Sequence, residues 1–279
     1  MKNLSKLGAY VFLTIAAFIS IVPFFWMVVS STNASVDITR GRMLPGSHLM
    51  ENFRNLMDQV NFGTAFLNSA EIAIITTVLG LLVASLAGYG FEIHRSKSKD
   101  IVFSILLGSM MIPFVALMIP LFRMFANISG WPVLGRLIGV NTTMGVVLPT
   151  AVTAFMIFFF RQSTKMFPKE IIEAGRIDGL GELGIFFRIF VPTMKTTYAA
   201  AAIIVFMTSW NAYLWPLVII STPDNQTLPL LISTLGPTSS YAPDFGIMML
   251  AIVLATLPSA VVFFVLQKHF VAGMMGSVK

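Results

Sequence analysis

Residues 8–30 read GAYVFLTIAAFISIVPFFWMVVS, twenty-three positions without an Asp, Glu, Lys, Arg or His. The hydrocarbon core of a bilayer takes about 20 such residues as a helix. The basic start at Lys2 and Lys6 imitates a signal peptide. The run is longer than the 7–15-residue apolar stretch of such a peptide, and no small-x-small cleavage pattern closes it, so a retained helix is expected. Five further runs follow at 67–90, 101–125, 143–160, 197–220 and 246–267. The expected architecture is an all-α membrane protein with six transmembrane helices. A barrel would need alternating strands of about ten residues, and none appear.

The whole chain fits this reading. Of 279 residues, 56% are hydrophobic and 11% charged, and the mean hydropathy is +0.85; a water-soluble enzyme is excluded. With no cysteine there is no disulfide, thiolate nucleophile or Cys-ligated metal, and the three histidines at 48, 94 and 269 are too scattered for a metal site. Helix-interior proline frees carbonyls that lipid cannot satisfy. The helices carrying Pro113, Pro120, Pro149 and Pro258 are therefore expected to pack against protein. Small-residue spacing at Gly80, Ala84 and Gly88 marks a close-packing face on the second span.

Lys and Arg set orientation. With the N-terminus inside, thirteen of the eighteen fall on inner segments, and Arg40, Arg42, Arg54, Arg123 and Arg136 on outer ones. Both termini are expected in the cytoplasm. An outer segment, 31–66, carries a short amphipathic helix around 51–57. The inner segment 161–196 includes KMFPKEIIEAGRIDGLGELGIFFRIFVP (165–192). Pro168 suits a helix's first turn, Glu170 and Glu173 complement its dipole, and Gly179 is placed for a left-handed stop. A second short helix, apolar through Ile185, Phe186, Ile189 and Phe190, runs to Pro192. This helix–Gly–helix unit is greasier than a solvated loop; either it lies on the membrane surface or it meets a partner.

Glu173-Ala174-Gly175-x-x-Asp178-Gly179, followed by Phe186, Ile189 and Pro192, resembles the EAA loop of binding-protein-dependent ABC importer permeases. Gly175 and Leu180 stand where that family usually has Ala. Pro45 with Glu51-Asn52-Phe53, Leu67-Asn68-Ser69, the run WNAYLWP (210–216) and QKHFVAG (267–273) are similar to the carbohydrate branch, and to the subunit type of the shorter maltose-importer permease. The resemblance implies a type I importer bundle as one membrane domain over 1–279, with 1–66 holding the first span and outer segment and 67–273 the permease core. It implies that Glu170, Glu173, Ala174, Gly175, Asp178, Gly179, Phe186 and Pro192 couple to an ATPase. It also implies two paired permeases in the bacterial inner membrane, two cytoplasmic ATPases and an extracellular solute-binding protein; the last outer loop, 222–245, either engages that protein, as in the family, or is a plain connector. No Gly-x-x-x-x-Gly-Lys-Ser/Thr occurs, so no cofactor is expected on this chain, and ATP and Mg belong to the partner ATPases.

For a substrate path, Thr208, Ser209, Trp210, Asn211, Tyr213 and Trp215 cluster polar groups and aromatic faces suited to pyranose rings, set against a plain interfacial belt with helix packing by hydrogen bonds. Glu71 is a second candidate, set against a capping box in which Asn68 is the N-cap. Two other readings stay open: an importer permease for a non-sugar solute, and an ion-coupled secondary transporter. The latter needs midplane charges and usually inverted repeats. An intramembrane hydrolase lacks any paired catalytic groups at mid-depth.

Overall fold

The structure is a computed structural model and describes residues 2–236 and 243–276. The part of the last outer loop at 237–242 and the C-terminal Lys279 lie outside the described residues. All the regular elements among them are helical. Three helices are long and apolar enough to cross a membrane, Lys6–Ser30, Phe62–Ile93 and Phe245–Gln267, and the number rises to six when each of three bent pairs is one span. The chain divides into two compact units, Met1–Phe66 with Leu228–Pro258, and Leu67–Thr227 with Ser259–Lys279.

The first unit contains α1 (Lys2–Ser30), α2 (Ser35–Thr39), α3 (Leu49–Gln59) and the opening turn of α4 (Phe62–Ile93). Expected from amphipathic spacing, α3 buries Asn52 and Leu56. Asn52 Nδ2 donates to the carbonyls of Ser31 and Asn33 at 2.9 and 3.1 Å. Asn33 Nδ2 in turn donates to Val29 and Leu44 carbonyls, both at 3.0 Å. Two buried amides thus satisfy the backbone left open where α1 ends, which buried carbonyls require. Asp244 accepts the N–H groups of Gly246 and Ile247 and the hydroxyl of Ser35, the last at 2.6 Å.

The second unit holds the rest of α4, then α5 (Lys97–Ser109), α6 (Phe114–Ser129), α7 (Leu134–Ile138), α8 (Thr143–Ala151), α9 (Ala154–Lys165) and α10 (Lys169–Ile177). After these come α11 (Glu182–Ile185), a π-helical turn Phe186–Phe190, α12 (Val191–Thr193), α13 (Lys195–Trp210) and α14 (Leu214–Ile219). In the first unit, α15 (Leu228–Thr234) precedes α16 (Phe245–Gly276), a helix shared by the two units. The small-residue face of α4 is used as expected. A Cβ on Gly80 would lie 2.5 Å from the Ala151 carbonyl, and one on Gly88 2.7 Å from the Arg161 backbone. Ala84 is fully buried with Phe103, Met156, Ile157, Phe160, Ala201 and Val205.

Several expectations are corrected. The run 101–125 is not one helix: α5 and α6 meet at 99°. Pro113, expected inside a span, is the N-cap of α6; it biases Ile112 away from helix, and no mid-helix carbonyl is freed there. Both Pro113 and Pro120 are exposed on this chain, whereas Pro149 and Pro258 are half-buried. The fourth run bends by 46° where Thr153 caps α9, its hydroxyl accepting the Met156 N–H. The fifth stops at Trp210 and resumes as α14. Asn68 is not an N-cap, because α4 begins six residues earlier at Phe62. Its amide instead donates to the carbonyls of Asp224 and Gln226 at 2.8 and 3.0 Å.

Candidate functional site

Two regions of the second unit carry the functional chemistry. The first is built on α10, at the end that the positive-charge bias places in the cytoplasm. Pro168 stands one position before the expected first turn, as N-cap. Gly179 has φ +81°, the Leu180 N–H donates to the Gly175 carbonyl at 3.0 Å and the Gly179 N–H to Arg176 at 3.1 Å. That is the paired C-terminal bonding of a Schellman stop, which glycine adopts without a Cβ penalty. Leu180 closes it by packing against Tyr89, Phe167, Ile172, Ile185, Phe186 and Phe190.

This cluster divides α10 into two faces. Ile172 and Gly175 point inward, while Glu170, Glu173, Ala174 and Asp178 are exposed. Of the remaining expected coupling residues, Gly179 and Pro192 are exposed and Phe186 is buried. Three apolar side chains remain bare beside the acids: Ile177 is 86% exposed, Met166 77% and Leu183 67%. An exposed apolar group rimmed by charge marks a contact surface.

Two ionic clusters tie this region down. Glu182, heading α11, receives Arg176 Nε at 2.8 Å, His94 Nε2 at 3.2 Å and the Tyr89 hydroxyl at 3.3 Å. The hydrogen bond to Glu182 holds the Arg176 guanidinium above its ordinary range. α10 is thereby linked to the end of α4 through polar contacts as well as packing. The second cluster is buried. Arg161 on α9, 4% exposed, donates Nε to Glu92 at 3.2 Å and its terminal nitrogen to Asp100, and its guanidinium lies 4.1 Å from the Phe103 ring centre. Arg95 supports Asp100 from outside at 3.1 Å. By sequence Arg161 bears only on topology and Arg95 on topology or an ATPase contact, and the signal for their cluster is Glu92, a carboxylate one residue from the end of α4.

The second region is a cavity of about 640 Å³ at the three helix breaks, lined by parts of α4, α6, α8, α9, α13 and α14. It brings together Asn211, Tyr213 and Trp215 from the expected substrate path. Trp215 is buried, donating to the Gly145 carbonyl at 3.1 Å between the ring edges of Phe114 and Phe125. Two other expected residues lie elsewhere. Trp210 is buried against Phe206, ring centres 5.7 Å apart, and Glu71 is exposed on α4; neither lines the cavity. Thr208 and Ser209, from the same fifth-span cluster, also line it, whereas Thr76, Thr150 and Thr153 do so from separate elements and share no local motif that the sequence could show.

Among the described residues no group of three or more His, Asp or Glu could hold a metal. Apolar broken helices around a cavity, with an ordered loop at one end, define a multi-pass membrane permease. Residues 77–276 match the family described as binding-protein-dependent transport system inner membrane component, and the chain belongs to it. It is accordingly a multi-pass permease subunit of the inner membrane. It is 46% identical to the lactose transport system permease protein LacG of Rhizobium radiobacter, over 100% of this chain and 98% of that one. To the arabinooligosaccharides transport system permease protein AraQ of Halalkalibacterium halodurans it is 35% identical, over 94% and 92%. Its fold matches a chain in the crystal structure of a bacterial ABC transporter involved in import of the acidic polysaccharide alginate, with a TM-score of 0.80, 22% identity and coverage of 96% and 97%.

Proposed function

We propose that this chain is one of two paired permease subunits of an ATP-driven carbohydrate importer, and that ATPase closure reaches its cavity through residues 168–190. The observation that carries the reading is the two-faced α10 unit. One face is buried on the aromatic cluster around Phe186 and Phe190, and the other exposes Glu170, Glu173, Ala174 and Asp178 beside bare Ile177. A helix fixed on one side and presenting acids beside a bare isoleucine on the other transmits a push as a rigid body. Two cytoplasmic ATPases supply that push, using the ATP and Mg for which this chain has no phosphate cradle. An extracellular binding protein delivers the solute. Carbohydrate is supported by the names of relatives that match nearly the full length of the chain and by the uncharged cavity holding Asn211, Tyr213 and Trp215.

The test is uptake of radiolabelled lactose into proteoliposomes bearing the full complex and its binding protein. Uptake that requires ATP and survives collapse of ion gradients is expected. Uptake driven by an ion gradient without ATP would place the chain among secondary transporters; ATP-dependent uptake of amino acids but of no sugar would make it a permease for another solute.

A further inference from the structure

The outer segment between α1 and α4 carries a helix face that solute transport does not use. At 3.6 residues per turn, Leu49, Met50, Phe53 and Met57 fall within about 100° of one another around α3. All four are exposed, Met50 by 62% and Phe53 by 42%. Exposed Glu51, Arg54 and Asp58 lie on the far side of the helix, and buried Asn52 and Leu56 form an edge beside the apolar face. α3 thus has three sectors: one packed on the protein, one charged, and one apolar and bare. A helix that only packed on the end of α1 would need the first two.

Hydrogen bonds fix the depth of the bare sector. The His48 N–H, at the start of α3, donates to the Thr32 carbonyl at 2.9 Å. Thr32 Oγ1 accepts the Gly46 N–H, also at 2.9 Å, and Asn52 donates to the carbonyls of Ser31 and Asn33. Residues 31–33 directly follow the end of α1, whose uncharged run 8–30 is as long as the hydrocarbon core requires. The amino half of α3 is therefore held where α1 leaves the hydrocarbon, on the side that the positive-charge bias places outside. Leu44, whose carbonyl accepts Asn33 Nδ2 at 3.0 Å, is exposed at the same junction, as is its neighbour Met43. These side chains adjoin α1, none of whose most apolar stretch is buried by this chain.

We propose that α3 is an interfacial anchor, whose Leu49, Met50, Phe53 and Met57 face inserts into the outer leaflet of the bilayer. A helix that is apolar along one side and charged along the other, held at this depth, lies in the plane of the interface with its apolar side among the acyl chains. The occupant of the face is lipid. The lipid surface already met by α1 continues onto it, and Glu51 and Asp58 are turned away from it. The anchor pins the connection from α1 to α4 to the membrane surface, whatever solute the permease carries.

Because the chain has no cysteine, single spin labels report the environment of each face. Met50→Cys, Phe53→Cys, Glu51→Cys and Asp58→Cys all replace exposed side chains, so the fold is not at risk. Each is labelled in the complete permease–ATPase complex, with cysteine-free partner subunits, in nanodiscs. Collisions with oxygen, which concentrates among acyl chains, are compared with collisions with a water-soluble nickel chelate, with and without the binding protein. At 50 and 53 oxygen should dominate, at a depth of about 5–10 Å into the headgroup–acyl boundary. At 51 and 58 the nickel chelate should dominate, and the binding protein should change neither 50 nor 53. Dominance of nickel at 50 and 53 would overturn the anchor by placing the face in water. Low access of both reagents there would overturn it by placing the face under the paired permease. Oxygen access lost at 50 and 53 only when the binding protein is added would give the face to that protein, and overturn the anchor equally.

Discussion

Substituting Arg161 by Met removes the charge from a site that has almost no access to water. The Arg161 and Glu92 side chains are 5% and 6% exposed and meet at 3.2 Å. Met retains most of the volume over Phe103, so the principal loss is ionic. Asp100 keeps Arg95 at 3.1 Å and remains 35% exposed, so it is partly compensated. Glu92 loses its hydrogen-bonded cation, keeps only the longer-range attraction of exposed Arg95, and stays buried. Removing one member of a buried pair costs about 3–5 kcal/mol, much of it the stranded charge. If detergent-solubilised complex unfolds with the sensitivity of a domain of similar size, that is roughly 6–20 °C in melting temperature. The assay is a thermal melt of the purified complex for R161M, E92Q and the double variant R161M/E92Q. Because the double variant leaves no buried charge, it should recover more than half of the loss seen in R161M. A melt of R161M within about 1 kcal/mol of wild type, or a double variant as unstable as R161M, would refute the reasoning: the ion pair would then be incidental to how α4, α5 and α9 are joined.

Other outcomes follow from single contacts. Glu182→Gln loses its charge toward Arg176 and His94, and because those groups are about two-fifths exposed stability should change by less than about 1 kcal/mol. The sugar carried per ATP hydrolysed should fall measurably, since the tie from α10 to the end of α4 is loosened. Gly88→Ala should destabilise by about 1–3 kcal/mol in the same thermal melt, as its Cβ would press on Arg161 and Phe160 backbone atoms. Gly90→Ala, two residues on in the same helix, meets nothing within 4 Å and should stabilise by about 0.5–1 kcal/mol. Gly175→Ala gains helix propensity but crowds the tip of Ile189 at 2.8 Å and fully buried Ile185 at 3.3 Å; the two effects oppose, and its melt should lie within about 1 kcal/mol of wild type.

The sequence reveals much of this. Long uncharged runs define the spans because lipid tolerates little else, and the helix–Gly–helix unit is legible because Gly179 must adopt a positive φ to end α10 where it does. The small face at Gly80, Ala84 and Gly88 is legible for the same local reason. What escapes is set by distant partners. Asn68 and Glu71 have the spacing of a capping box, yet α4 starts at Phe62 and Asn68 serves the 224–226 backbone. The breaks at Met110–Pro113 and Val152–Thr153 sit inside runs whose hydropathy is continuous; hydropathy carries no information on where the axis turns. The Arg161 cluster joins residues 61 and 69 positions apart, and the cavity collects hydroxyls from several helices. Trp210 and Trp215 are five residues apart in one motif, but only Trp215 reaches the cavity wall, because Asn211 ends α13 and redirects the chain between them.

The central claim is that α10 is the contact through which an ATPase drives this permease. The absence of native cysteine permits a direct measurement. Single cysteines are placed through 171–182, opposite one cysteine in the ATPase cleft, and disulfide formation in the whole complex is followed with and without nucleotide. The account predicts crosslinks at exposed Glu173, Ala174 and Ile177, none at buried Ile172 and Gly175, and a change in yield when nucleotide is added. No crosslink anywhere along the segment, or a yield indifferent to nucleotide at every position, would contradict it.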